Sequence, residues 1–343
     1  MKQTIRKKFI AFFFIVLLAD IALGYLFWNS RALSHLAAWN IVESTNRQDF
    51  YWTPDNSPGY FRLESDAQGL LPFKQDTRSI IEEERDDFKT VLTLSRDVRG
   101  LGSGGKSQDV RVRWDSPQGI LHQMQEGALG HCFQRSVVLS SYVSSLGIPS
   151  RLWALENEML DATAHTVSEV YIPSIEKWVF LDAFLGFYAT RDGDGLPLSF
   201  LEFRERLLDP AIGSFVLHDL NGEIVEQEAP AFYKKLVTCA FLRGRNDFTT
   251  QHRARYGPLF AFRQYLDKLP NSVRIGLDYF LTSADIFVHY EDRFSPSLRA
   301  KARYAKMLFY LFVSLSVALG GVLIFLLGEG FLRHRSRKET RHK

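Results

Sequence analysis

Three residues of this chain have types and an order that suit acyl transfer: Cys132, His165 and Asp182. A thiol attacks a carbonyl well only as the thiolate. A helix N-terminus stabilises that anion through its dipole and free amides. Cys132 is placed to open such a helix. Gly130 lets the backbone turn just before it, and Phe133, Val137, Val138, Ser141, Val143 and Leu146 then recur with helical spacing. A neighbouring imidazole takes the thiol proton and gives a thiolate–imidazolium pair. A carboxylate on the far ring nitrogen fixes tautomer and orientation. The Cys132 N–H would be one donor to the oxyanion, with Gln123, Gln125 and the Trp114 indole as candidates for a second. Each residue alone has a plainer reading. A cysteine opening an apolar helix is more often a small buried hydrophobe, and an aspartate after a strand is more often a turn former. The joint order carries the case.

The elements that must position these residues are legible around them. Pro117–Met124 reads as a short helix, broken by Gly127 and Gly130. The Cys132 helix ends at Gly147, with Pro149 soon after. Arg151–Leu155 is strand-like, His165–Pro173 alternates as a strand, Glu176–Trp178 turns the chain, and Val179–Phe184 is the next strand. A helix led by Cys, a strand led by His and a strand ending near Asp give an α+β layout. Upstream, Ser79–Arg99 has the pattern of an amphipathic helix. Residues 29–78 read as an irregular lead-in, with turn signals at Pro54, Pro58, Gly59 and Gly69. There are no internal repeats.

These runs resemble the core of the transglutaminase-like superfamily, the papain-like cysteine enzymes. The matching stretches are Gly-His-Cys at 130–132, Leu-Gly-Ile-Pro-Ser-Arg at 146–151, Ala-His-Thr-Val-Ser-Glu-Val-Tyr at 164–171 and Lys-Trp-Val-Phe-Leu-Asp-Ala at 177–183. The resemblance implies a Cys132–His165–Asp182 triad, with His and Asp on adjacent antiparallel strands and Gly147, Pro149, Arg151, Glu169 and Trp178 as supporting residues. It covers roughly residues 79–210. Two places depart from the family pattern. Thr166 and Val167 stand where an aromatic often follows the His, and Ala183 and Phe184 stand where a polar or proline-containing turn is common. They leave the triad intact and bear on substrate class. Family members include protein cross-linkers, amide hydrolases, peptidases and catalytically dead scaffolds.

The charge is unevenly placed. The 343 residues carry a formal net charge of +3. Lys2, Arg6, Lys7 and Lys8 crowd one end, and Arg333, Arg335, Arg337, Lys338, Arg341 and Lys343 the other. The body between is mildly acidic, which speaks against a nucleic-acid partner. Residues 9–28 and 307–327 are apolar runs long enough to cross a bilayer as helices. The first has a basic flank and no small-residue cleavage site after it, so it reads as an uncleaved anchor. The expected layout is a tail (1–8), a span (9–28), the lead-in (29–78), a transglutaminase-like domain (79–210), a mainly helical extension (211–306), a second span (307–327) and a basic tail (328–343). Basic tails at both ends put both termini in the cytoplasm and residues 29–306 outside, in the periplasm of a bacterial inner membrane. Arg299, Lys301, Arg303 and Lys306 oppose this orientation at the second span; the first span outweighs them. Asp20 is an intramembrane polar residue, costly unless paired or protonated. Gly24 lies one turn on, and Ser316 and Gly320 form a small-xxx-small pair in the other span. The spans are therefore expected to pack on each other or on a membrane partner, with Asp20 at the contact.

Several motifs lead elsewhere and are set aside. Gly100–Ser107 matches the phosphate-loop pattern G-x-x-x-x-G-K-[ST]. A helix precedes it and the alternating Val110–Trp114 follows, the reverse of what phosphate binding needs, so no nucleotide is expected. Asp192 and Asp194 lack the rest of a calcium loop. No C-x-x-C exists, and Cys239 sits in an apolar run that suits a buried thiol. No metal or cofactor is expected. In residues 211–306, Pro258–Leu269 and Val273–Val288 have a helical, aromatic pattern. The functional expectation is an enzyme acting on amide bonds of a protein or peptide substrate through a thioester, by hydrolysis or transfer to an amine. The alternative is a non-catalytic scaffold that docks a partner in a membrane or envelope assembly.

Overall fold

Strand-length apolar runs and amphipathic helices meet in one sheet with helices on both faces. The computed structural model describes residues 2–77, 86–102, 112, 116–157, 165–225, 229–250, 286–295 and 297–341. Among them the chain order is α1 (Lys2–Asn29), α2 (Arg31–Ala38), β1 (Asn40–Ser44), α3 (Ala67–Asp76), α4 (Asp87–Gly100), α5 (Pro117–Gln125), α6 (Cys132–Ser145), β2 (Ser150–Glu156), β3 (His165–Ile172), β4 (Lys177–Asp182), β5 (Phe187–Arg191), α7 (Phe200–Leu208), β6 (Phe215–Asp219), α8 (Ala229–Leu236), β7 (Cys239–Arg243), β8 (Ile286–Tyr290) and α9 (Arg299–Arg341). The strands form a single mixed sheet in the order β1-β8-β7-β2-β3-β4-β5-β6. Among the described strand pairs, only β1 and β8 run parallel and the others are antiparallel. The class is α+β.

Period-two alternation divides the sheet's side chains between two cores. Leu152, Val170, Val179 and Leu181 point to one face and are covered by Phe73 of α3, Val91 and Leu94 of α4, and Val137 and Val138 of α6. Trp153, Leu155, Val167, Phe180 and Phe187 point to the other and meet Phe200 and Phe203 of α7 and Tyr233 and Leu236 of α8. Burying each such side chain contributes about 1.5–3 kcal/mol.

Within the second core sits a charged cluster. The Arg151 Nε donates to Glu169 Oε2 at 2.7 Å, and the Trp153 indole donates to the same oxygen at 2.6 Å. Glu169 Oε1 accepts the Phe200 N–H at 2.6 Å, tying the start of α7 to β3. The Arg151 guanidinium lies over the rings of Trp52 and Trp178, 4.8 and 4.2 Å from their centroids. It also donates to the Phe50 carbonyl at 2.8 Å. Both charged groups are buried, so the pair must satisfy itself.

The terminal helices form an antiparallel pair. Ser316 Oγ donates to Asp20 Oδ1 at 2.9 Å. Four residues on, a Cβ added at Gly24 would lie 3.3 Å from the Phe312 ring. Three further on, Phe27 packs edge-on to Phe309, with centroids 5.6 Å apart. Steps up one helix thus match steps down the other, and Asp20 lies at the contact. By length and composition, Arg299–Phe325 is the one helix among the described residues long and apolar enough to cross a membrane; Ala11–Phe27 is a shorter apolar helix. The second helix begins at Arg299 rather than Met307. Its first turns bury Leu298, Ala302 and Ala305 against Cys239, Phe241 and Phe287, with Leu36 and Ala37 of α2 alongside.

The structure corrects the sequence reading in two stretches. The lead-in at 29–78 is not irregular: it supplies α2, β1 and α3. The segment 211–306 is not mainly helical where it is described, since β6, β7 and β8 lie in it. Val273–Val288 was expected to be helical, yet Ile286–Val288 belong to β8. Five-residue apolar runs carry too little period to separate strand from helix, and partners distant in sequence decide. Pro258–Leu269 and the rest of 251–285 lie outside the described residues.

Replacing Glu169 by Ala strands the Arg151 charge, the Trp153 indole and the Phe200 amide. The expected loss is about 3–5 kcal/mol. A thermal melt of the detergent-solubilised chain should show the midpoint falling by roughly 10 °C.

Candidate active site

Cys132 is the first residue of α6, and its setting is built by its neighbours. His131 precedes it with extended backbone (φ −83, ψ 178), and its N–H donates to Gln134 Oε1 at 3.0 Å. Gly130 is required by close packing, because a Cβ there would sit 2.7 Å from Met124 Sδ. Arg135 pins this turn in place. Its Nε donates to the Gly130 carbonyl at 3.0 Å, and its Nη atoms donate to Arg99 at 2.7 Å, Leu101 at 2.9 Å and Val98, all at the end of α4. Burial lowers the Arg135 pKa, yet three α4-end carbonyls in the negative half of a helix dipole favour its charge. Sequence reading missed Arg135, whose role depends on the carbonyls that α4 brings to it. Among the described residues no acceptor takes the Cys132 N–H, one of the amides a helix start leaves unpaired. Cys132 is half-buried, Cys239 is buried, and no disulfide joins them.

His165 opens β3 opposite Leu155 of β2, and Asp182 closes β4. The adjacent antiparallel pairing of β3 and β4 brings them together. His165 Nε2 and Asp182 Oδ2 are 2.7 Å apart, which leaves Nδ1 for the Cys132 thiol, also hydrogen-bonded to the ring. The three sequence candidates therefore form one chain of contacts, thiol to imidazole to carboxylate.

Asp182 is fully buried and has further donors. Its Oδ1 accepts the N–H groups of Phe184 and Leu185 at 2.8 and 2.9 Å, so the aspartate itself forms the turn that follows β4. That turn closes through Gly186, at φ +84, over which the Arg99 guanidinium packs. Its Oδ2, already taken by His165, also accepts the Tyr233 hydroxyl of α8 at 2.6 Å. Tyr233 is buried, and its ring stands perpendicular to the imidazole at 5.6 Å. Phe184 and Phe232 also face the imidazole edge-on, at 6.0 and 5.5 Å. Between them they leave His165 only 2% exposed. Sequence reading missed Tyr233 and Phe232. The one available signal was an apolar pattern through Tyr233, Leu236 and Val237 in an otherwise basic helix, and nothing local ties it to Asp182.

Electrostatics follow from this packing. Burial by itself would lower the His165 pKa, but the charge and hydrogen bond of Asp182, then those of Cys132, outweigh it and push it up to about 10. Burial would raise Asp182, but the His165 charge and hydrogen bond, with the Tyr233 and Leu185 donors, hold it below the usual carboxylate range. Tyr233 is pushed well up by burial and by Asp182. The imidazole is thus a cation at neutral pH, placed between a thiol and a carboxylate. That arrangement can store the thiol proton and later deliver it.

The Gln123 amide donates to the Gly119 carbonyl of its own helix at 3.1 Å, Gln125 is exposed, and Trp114 lies outside the described residues. Helix α4 runs to Gly100, where a phosphate loop needs a strand; residues 103–107 lie outside the described residues. Asp194 pairs with Arg191, and Asp192 accepts from Ser214 at 2.7 Å. A surface cavity of about 710 Å³ lies at the far end of α6, lined by Lys74, Asp87, Ser144 and Gly147, and no triad residue borders it.

Two outcomes are expected. In Tyr233→Phe, Asp182 loses one donor and becomes more basic, and about 2 kcal/mol of stability should be lost in a urea titration. Linkage gives the second. The His165 pKa is raised on folding, so its stabilisation is complete below the unfolded value of about 6.5 and is lost as pH rises through about 10. The gap in urea midpoint between wild type and His165→Gln should therefore narrow from pH 7 to pH 10. Comparison with protein-family models, with curated proteins and with solved structures finds no match for this chain.

Proposed function

We propose that the chain is a membrane-anchored, transglutaminase-like cysteine enzyme that acts on amide bonds. The observation that carries this reading is the imidazole of His165 held between the Cys132 thiol and the buried Asp182 carboxylate. In the first step the Cys132 sulfur bonds to the amide carbonyl carbon. The C=O electron pair moves to oxygen, where the Cys132 N–H donates to it. Collapse restores C=O and breaks the C–N bond, and the leaving amine takes the proton from His165 Nδ1. A thioester on Cys132 and a neutral imidazole result. Water or an amine then attacks the thioester, gives its proton to His165 and releases the acyl product with the thiolate. Asp182 stays ionised and holds the ring in one tautomer throughout. Cys132 is only half-buried, which leaves water as a possible acceptor.

The anchor is the α1–α9 pair. Its antiparallel packing carries both basic tails to the end remote from the sheet. This supports cytoplasmic tails and a periplasmic domain at a bacterial inner membrane. The substrate is then a protein or peptide on the outer side of that membrane.

The pH dependence of Cys132 alkylation, measured in wild type and in His165→Ala, tests the chemistry. Alkylation faster than that of an ordinary thiol, and lost in the variant, is expected. An ordinary thiol profile in both would sink the catalytic reading in favour of a scaffold. Cys132→Ala separates the same alternatives in the cell: an enzyme loses function with its assemblies intact, whereas a scaffold keeps its function.

A further inference from the structure

The first turns of α9 have two unlike faces. Leu298, Ala302, Ala305 and Phe309 are buried against the edge of the sheet and α2. The other face carries Arg299, Lys301, Arg303, Tyr304, Met307 and Tyr310, all exposed, and the half-buried Lys306. From Ser297 to Tyr310 there is no acid. Arg299 is neutralised by Glu43, whose carboxylate also accepts the Leu298 N–H and so fixes the start of the helix. Lys301, Arg303 and Lys306 have no acidic partner among the described residues. Three cations thus stand within about two helical turns of a long apolar segment; Lys301 to Lys306 covers about 7.5 Å of helix, close to the depth of one headgroup layer.

Their level is set by the helix pair. Phe27 meets Phe309, so the last turn of α1 and the start of the apolar part of α9 lie side by side. Tyr304 and Tyr310 are 57% and 49% exposed at this level, where amphipathic rings favour the boundary between hydrocarbon and headgroup. Cations on the domain side of a span do not serve orientation, because the positive-inside tendency acts on the opposite side. Their placement needs another account.

We propose that this collar, Lys301, Arg303 and Lys306 with Tyr304 and Tyr310, binds the acidic phospholipid headgroups of the leaflet on the domain's side. The proposal rests on the membrane-anchored reading and is independent of the catalytic one. Lys and Arg are attracted to anionic lipid over about a Debye length. The two tyrosines fix the helix at the depth where that attraction acts. The domain is docked directly on this stem, so bound headgroups would hold the sheet at a set height above the bilayer.

The full chain is reconstituted in phosphatidylcholine vesicles, and spin-labelled phosphatidylglycerol and phosphatidylcholine are compared as probes. The fraction of each label immobilised by the protein gives their relative affinity. Wild type should prefer phosphatidylglycerol by at least about threefold. That preference should fall towards one in 1 M salt and in the triple variant K301Q/R303Q/K306Q. Equal affinity in wild type, in protein that survives a carbonate wash in the vesicles, would overturn the headgroup proposal. So would an unchanged preference in the triple variant. Release of the chain by the carbonate wash would instead overturn the membrane-anchored reading beneath it.

Discussion

A fully buried carboxylate keeps its charge only if donors surround it, and in this chain that constraint falls on Asp182. Its four donors come from three places in the fold. His165 leads β3, the Phe184 and Leu185 amides belong to the turn after β4, and Tyr233 comes from α8. If any one is misplaced, the carboxylate becomes more basic and its position beside the imidazole is less firmly held. The β3–β4 register, the Gly186 turn and the docking of α8 are therefore parts of one requirement. The thiol is subject to it only through His165.

A second buried charge organises the same core at the other end of β3. Glu169 takes donors from β2 and α7, while Arg151 lies between Trp52 and Trp178. Alternation puts Glu169 and His165 on the same face of β3, four residues apart. The cluster thus fixes the face on which the imidazole emerges without touching it. Arg151, Glu169 and Trp178 thus bear on the site through the strands that carry it.

Local signals were enough for the centre of the fold. The bounds of α5, α6, β2 and β3 read from the sequence lie within about two residues of those observed, because their periods are strong and glycine or proline punctuates them. Cys132 and His165 begin such elements; Asp182 falls inside the strand read from the sequence at 179–184, whereas β4 is Lys177–Asp182 and ends on it. The rest depended on distant partners. Strand β7 reads as a short apolar run until it pairs with β2, and β1 finds its parallel partner β8 more than two hundred residues later. Tyr233 carries no sign in its own neighbourhood of the aspartate it serves. Asp20 was legible for the opposite reason, since an acid in an apolar run is conspicuous and calls for a partner, here Ser316.

The helix pair and the site are linked by continuous packing. The first turns of α9 bury Ala302 and Ala305 against Cys239 and Phe241 of β7. Strand β7 pairs with β2, where Leu155 lies opposite Ala240. On its other side Leu155 lies opposite His165 of β3. One ladder therefore runs from the helix stem to the imidazole through two strand pairings. Cores of this density do not deform smoothly. A stem held at a fixed depth would consequently hold the sheet, and with it His165 and Asp182, in a fixed attitude to the bilayer. On the proposed reading, anchoring would do more than confine the domain to a surface: it would restrict the directions from which an extended acyl donor could reach Cys132.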